Sequence, residues 1–466
     1  MAKKEKGKEP AVKKVLHSDY QIRWKNFRRF EDTGWITLRP ITLLIGANNS
    51  GKSSVLSPLL LLSQTISSSD SEAPLIPRGR LVDVGNYKDF INSHDESREL
   101  FLGLRFHSHR PEKGKIGKVG DYPPGAIELT FARGDEPQHL ILKKYEVFDI
   151  FGRPYFSRAL MPDGKYSLEG NISLKKMSAA EKAAITDASP VNFLFSPNQV
   201  LYALETPEDS DERVKVMKFS EPFSHYLRAV GFAFSAVRGL FKSMSYVGPL
   251  RRKIQRYYRV SAETPHTVGP QGENAPNLFR RQRAKHQPEL NRWIKAFEFG
   301  DSLVCESVTD DLFKLSLQNG SETTNVADVG FGASQVLPLI IQALAAPEDS
   351  LTLAEQPEIH LNPRLQCVLA ELFVQMAGAG HRVLVETHSE HLLTRLRTLV
   401  ASGGISQHDV AVYFVERDGA ASTIRQVEIN ENGHIDKASW PKGFFDDALR
   451  ESLALASAQS KIARRH

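Results

Sequence analysis

Gly46, Ala47, Asn48, Asn49, Ser50, Gly51, Lys52 and Ser53 follow the spacing Gly-x-x-x-x-Gly-Lys-Ser. Glycines at those two positions let the backbone curl so that successive N–H groups point inward at the oxygens of a polyphosphate. Lys52 would reach the β- and γ-phosphates, the Ser53 hydroxyl could ligate Mg²⁺, and Ser54 continues the run. Such a loop works between a buried strand and a helix, because the helix N-terminus adds positive potential at the same point. Residues 41–45 (ITLLI) read as a strand buried on both faces, and 53–66 as an apolar helix.

A second constellation lies far downstream. Residues 351–354 are an apolar strand running into Glu355, Gln356 and Glu358. Glu355, at the strand end, could hold Mg²⁺ directly or through water; the plain alternative is an acidic loop after a core strand. Upstream, Gly330, Gly332, Ser334 and Gln335 lead into a helix over 333–346, and glycines at a helix N-terminus suit phosphate contact through backbone N–H groups. His388 follows a strand over 382–386. Alone it would read as a satisfied surface side chain, and its place one strand after Glu355 reverses that reading.

The order of phosphate loop, glycine signature, acidic strand and strand-end histidine resembles the ABC/SMC ATPase superfamily. More narrowly, Asn26-Phe27-Arg28, GANNSGKSS (46–54), VGFGASQVLP (329–338), EQPEIHLNP (355–363) and ETHSEHLL (386–393) resemble single-chain AAA-type ATPases related to the OLD family. That group includes ATPase subunits of prokaryotic antiphage systems such as Septu. Residues 440–447 are similar to the C-terminal element of one branch, and the middle of the chain matches loosely through 246–251 and 269–273. The resemblance implies ATP and Mg²⁺ as ligands. It also implies that Gly330, Gly332, Ser334 and Gln335 of one subunit face ATP held by Lys52 of another, with His388 as the γ-phosphate switch.

Two departures matter. Gly330 stands where the signature serine is usual, which weakens side-chain contact with phosphate. Gln356 stands where relatives usually place the glutamate that activates water, and an amide cannot accept that proton at neutral pH. Gln356 could orient water, or Glu358 could substitute as base. ATP binding with slow hydrolysis is the expectation.

These residues need an α/β scaffold. The expected fold class is α/β, an ABC-type P-loop ATPase head with a small antiparallel β element and an inserted, mainly helical lobe. The absence of sustained heptads excludes a long coiled coil. The expected division is a disordered basic tail (1–18), the N-terminal part of the head (19–98), a β-rich element (99–174), a helical and basic insertion (175–300), the C-terminal part of the head (301–430) and a C-terminal element (431–466). Within it, 246–300 read as basic and turn-rich, and the α/β pattern returns from 313.

Composition fits this class. Of the 466 residues, 41% are hydrophobic and 25% charged, and Cys305 and Cys367 are too far apart in sequence for a disulfide framework. The leucine run 59–62 is far too short to cross a bilayer. The basic N-terminus has no apolar stretch behind it, so it is not a secretory signal. A cytoplasmic protein with no membrane partner is expected. The net charge of +5 permits nucleic acid without requiring it. Arg251, Arg252, Arg256 and Arg259, interleaved with Tyr257 and Tyr258, could track a nucleic-acid backbone or form a structural or partner-facing patch. Residues 414–418 faintly resemble the start of a TOPRIM nuclease domain, with no later Asp-x-Asp pair to complete a metal site. The leading expectation is an ATPase that dimerises or oligomerises and controls a separate effector, such as a nuclease in antiphage defence. The alternative is a DNA-binding ATPase of genome maintenance.

Overall fold

The computed structural model describes residues 20–106, 122–136, 139–172, 174–204 and 219–436. The expected basic tail and residues 440–447 lie outside them.

The phosphate-loop strand Ile41–Ile45 sits inside a six-stranded sheet. The order across that sheet is Ser245–Val247, Leu351–Glu355, Arg382–Glu386, Ile41–Ile45, Val410–Asp418 and Ala421–Val427. The first five pair in parallel and the last is antiparallel. Side chains alternate across a strand, so Leu44 enters one core while Ile41, Leu43 and Ile45 enter another. Both faces are therefore buried, and an unbroken apolar run is what such a strand requires.

The helix Lys52–Ile66 leaves the loop and is buried along almost its whole length. It packs against the first strand of a second sheet, Tyr20–Phe27, where the Trp24 indole N–H donates to the Val55 carbonyl at 2.9 Å. That sheet has eight strands and is antiparallel throughout. The expected small antiparallel β element is larger than the span 99–174 allotted to it. Tyr20–Phe27 pairs with Leu100–Arg105, so the N-terminal hairpin and the β-rich element are one layer, which Pro154–Ala159 extends.

The helical lobe is as expected. Its longest helix, Glu221–Ser243, is capped by Ser220 and packs against Pro124–Arg133 and against Lys52–Ile66. The turn-rich reading of 246–300 is corrected by a 22-residue helix, Ala275–Ala296. Its arginines and lysines hide a buried stripe of Leu278, Phe279, Leu290, Trp293 and Ile294, and Pro288 lies inside it. A small third sheet, Tyr258–Arg259, Leu312–Asn319, Ser302–Ser307 and Glu322–Asn325, packs beside that helix. The fold is thus a P-loop α/β head joined to an antiparallel sheet and a helical lobe, with no long coiled-coil helices among the described residues. No described helix is long and apolar enough to cross a membrane.

Candidate functional site

The loop's glycines are fixed by space as well as by conformation. Gly46 has φ 151°, and a Cβ there would lie 2.2 Å from the Val415 carbonyl oxygen. Gly51 has φ 107°, and its Cβ would press on the Phe30 ring and Ser422 at 3.2 Å. No other residue type fits such backbone without displacement. Ala47, Asn48, Asn49 and Ser53 reach solvent, while Ser50, Lys52 and Ser54 are buried. The Lys52 ammonium donates to the carbonyls of Gly46 at 3.0 Å and Ala47 at 2.8 Å.

The loop opens on a cleft of about 790 Å³, whose wall includes Asn49, Lys52, Ser53, Glu386 and the cations Arg28, Arg29 and Arg98. A triphosphate is anionic, and this wall complements it.

Beneath the cleft three carboxylates converge. Glu355 and Glu386 are register partners at the ends of adjacent parallel strands. Burial and the charge of Glu386 push Glu355 up to about 7. Burial also raises Glu386, against the pull of the Ser53 hydroxyl and Lys52. Glu358 accepts the backbone N–H of His388 at 2.7 Å, and burial raises its carboxyl as well. Lys52 is lowered by burial, with Glu386 and Glu358 opposing, and His388 is lowered by burial and then by Lys52. Gln356 takes φ 44° and donates its N–H to the Glu386 carbonyl at 2.7 Å, which pins the turn after the acidic strand to its neighbour.

Ser50 Oγ, Glu358 Oε2 and Glu386 Oε2 are buried without a protein hydrogen-bond partner. Leaving such an atom unsatisfied costs about 1–3 kcal/mol. The donor set suits a polyphosphate with a hard divalent cation: loop N–H groups, Ser50, Lys52 and arginines for the anion, Ser53 and carboxylates for the cation. Among the described residues no group of three or more His, Cys, Asp or Glu could hold a metal by itself. A cation here would complete its shell from phosphate oxygens and water.

Gly330, Gly332, Ser334 and Gln335 do not line this cleft. They open the helix Phe331–Ala345, with Gly330 exposed and Ser334 and Gln335 buried. Gln335 donates to Ser334 Oγ at 3.2 Å. Ser334 lines a separate small cavity with Arg252, Pro276 and Leu337.

The basic run does not form one surface patch. Arg251 is buried, against its expected place in that patch: it donates to the Glu355 carbonyl at 3.1 Å, and burial pulls its guanidinium down to about 10. Arg256 pairs with Asp328 at 2.9 Å, Arg252 donates to Gln271 at 2.8 Å, and Arg259 stays exposed. On the helix Ala275–Ala296, Arg281 donates to the Ser261 carbonyl and Arg283 to the Cys305 carbonyl, each at 2.8 Å.

Sequence reasoning gave no role to Glu386, Arg28 or Tyr246. Glu386 had a signal, since both 351–355 and 382–386 are apolar strands ending in glutamate. Tyr246 had none, because only the tertiary pairing of Ser245–Val247 with Leu351–Glu355 brings its hydroxyl to Glu355.

Solved structures of SMC heads are similar to the chain at low identity. One is an SMC head bound to the C-winged helix domain of ScpA, with 12% identity, 89% of this chain and 98% of that chain covered, and a TM-score of 0.40. Another is the SMC head domain from Thermotoga maritima, with 11% identity, 88% and 100% covered, and a TM-score of 0.36. A third is an SMC head with an extended coiled coil, bound to the C-terminal domain of ScpA and derived from Pyrococcus furiosus, with 10% identity, 89% and 97% covered, and a TM-score of 0.40. No curated protein matches the chain. The model of a family described as a protein of unknown function (DUF3696) matches residues 405–455. The AAA ATPase domain model matches residues 20–216 and 273–393, most of the chain, and these include the phosphate loop, the signature glycines and all three acids. The chain belongs to the AAA ATPase domain family.

Proposed function

We propose that this ATPase binds ATP with Mg²⁺ at the loop of residues 46–54, hydrolyses it slowly, and couples nucleotide binding to association between heads. The observation that carries the reading is the meeting of Lys52 and Ser53 with the buried carboxylate of Glu386 in one cleft walled by arginines. Loop N–H groups and Lys52 hold the phosphates, and the arginines of the wall offset their charge. Bound Mg²⁺ would neutralise charge on the phosphate oxygens. Ser53 and the acids at the strand ends are the residues to hold it. Gln356 orients water without taking its proton. Glu358, with one unpartnered oxygen and His388 on the other, is the proton acceptor available nearby. His388 follows the γ-phosphate.

Gly330, Gly332, Ser334 and Gln335 lie away from their own chain's cleft, which supports their acting on ATP held by a second head. By its resemblance to OLD-related ATPases, the assembled heads would control a separate effector, such as a nuclease of an antiphage system. The test is calorimetry of ATP·Mg²⁺ binding, combined with sizing of the chain with and without ATP. Lys52→Ala should abolish binding and ATP-dependent association without lowering thermal stability of the nucleotide-free chain. Unchanged ATP uptake by Lys52→Ala would sink the assignment.

A further inference from the structure

The central sheet sets Glu386 nearer the phosphate loop than Glu355. Glu386 pairs with Leu44 on the loop's own strand, and Glu355 pairs with Glu386 from the far side. Each step between strands is about 4.8 Å, so Glu355 stands one step further out. Its carboxylate is also engaged: Oε1 accepts the Tyr246 hydroxyl at 2.9 Å. Glu386 lines the cleft with Lys52 and Ser53, yet the residue is only 4% exposed and its Oε2 accepts no protein hydrogen bond. The Ser53 hydroxyl faces the same carboxylate. A buried, unpartnered carboxylate oxygen beside a phosphate-loop serine is the donor that a small hard cation takes, together with phosphate oxygens and water.

We propose that Glu386, with Ser53, is the protein's direct ligand pair for the divalent cation, and that Glu355 stands behind it as a positioning residue tied to Tyr246. The inference rests on the nucleotide reading above and deepens it. It moves the metal contact from the strand ending at Glu355 to the strand between that one and the loop.

The experiment measures ATP affinity of the full chain by calorimetry, once with Mg²⁺ and once with EDTA, and follows Mn²⁺ by electron paramagnetic resonance. Glu386→Gln should keep the wild-type affinity in EDTA while its gain in affinity on adding Mg²⁺ shrinks at least tenfold, and the bound Mn²⁺ signal should weaken. Glu355→Gln should lose much less of that gain. The shorter carboxylate of Glu386→Asp should restore part of it, and this variant carries the Mn²⁺ measurement if the glutamine variant fails to fold. A full Mg²⁺ gain in Glu386→Gln, or unaltered Mn²⁺ binding in Glu386→Asp, overturns the inference. Equal loss of affinity in EDTA also overturns it, because that pattern marks a structural role. A wild-type chain that takes up no ATP in either condition overturns the nucleotide reading, and this inference with it.

Discussion

The Tyr246 hydroxyl donates to Glu355 Oε1 across 2.9 Å, from a strand paired in parallel with the acid's own. Burial and the charges of Glu355 and Glu386 keep the phenol protonated, so it acts only as a donor. A hydrogen bond to a charged group contributes about 1.5–3 kcal/mol. Tyr246→Phe removes it with little change in shape. ATP affinity in EDTA should persist while turnover falls about tenfold, since 1.4 kcal/mol of barrier is about a factor of ten. A steady-state rate equal to wild type would show that the bond does not orient the acid.

Gln356→Glu restores a carboxylate at the turn after the acidic strand. General-base catalysis is worth about 10²–10⁴ in rate where geometry is right. Part of that should be lost to repulsion from Glu355, Glu358 and Glu386, leaving a gain of about tenfold or more in ATP turnover. A single-turnover assay with excess enzyme would read it. An unchanged or lower rate would remove Gln356 from the water-activating position.

How much was legible beforehand depended on the range of the interaction. The phosphate loop, its strand and its helix are local, so residue types within 41–66 suffice to place them. The capped helix Pro363–Gly378 was equally readable, because Asn362 accepts the Leu365 N–H and proline follows at the first helical position. The Ala275–Ala296 helix was missed because its many charges and Pro288 mask a narrow buried stripe. Arg251 was misread for a related reason: in sequence it belongs to a basic run, and only folding turns it inward beneath Glu355 and Glu358. Glu386 was visible as a residue but not as a neighbour of the phosphate loop, since sheet order is not written in either strand alone.

Arg158, on the sheet strand Pro154–Ala159, is fully buried where that strand meets the helical lobe, and the partners it shows there are carbonyls, aromatic rings and a tyrosine hydroxyl. Its guanidinium donates to the Ile185 and Ala188 carbonyls at the end of the Ala179–Asp187 helix, and lies 3.9 Å over the Phe195 ring. Arg158→Met removes a costly buried charge but strands those carbonyls, each worth about 1–3 kcal/mol when unsatisfied. The net expectation is a loss of roughly 2–4 kcal/mol in chemical denaturation. A more stable variant would mean that desolvation of the charge outweighs its bonds.

His381 is buried where the acidic sheet begins, with its Nδ1 3.0 Å from Ser350 Oγ. Burial lowers its pKa from 6.5, although the Pro347 carbonyl, Glu348 and Asp349 pull upward. The unfolded chain therefore binds this proton more readily, and stability rises with pH across the window just below 6.5. Read downward, the contribution is present above that value and is lost as pH falls toward the lower folded-state pKa. His381→Asn should flatten this part of a melting-temperature profile between pH 5 and 7. A parallel profile would assign the slope to other groups.

The strand that carries the phosphate loop is flanked by neighbours from the far end of the chain, Arg382–Glu386 and Val410–Asp418. A ribosome that has just made Ile41 must add about 340 more residues before the first of them exists, roughly 17–70 s at 5–20 residues per second. Through that interval the strand Ile41–Ile45 waits without either of its sheet neighbours, while the helix Lys52–Ile66 already has the antiparallel sheet to pack on. The phosphate-loop strand thus gains both its sheet neighbours only once synthesis has passed Asp418, so the central sheet closes around it late.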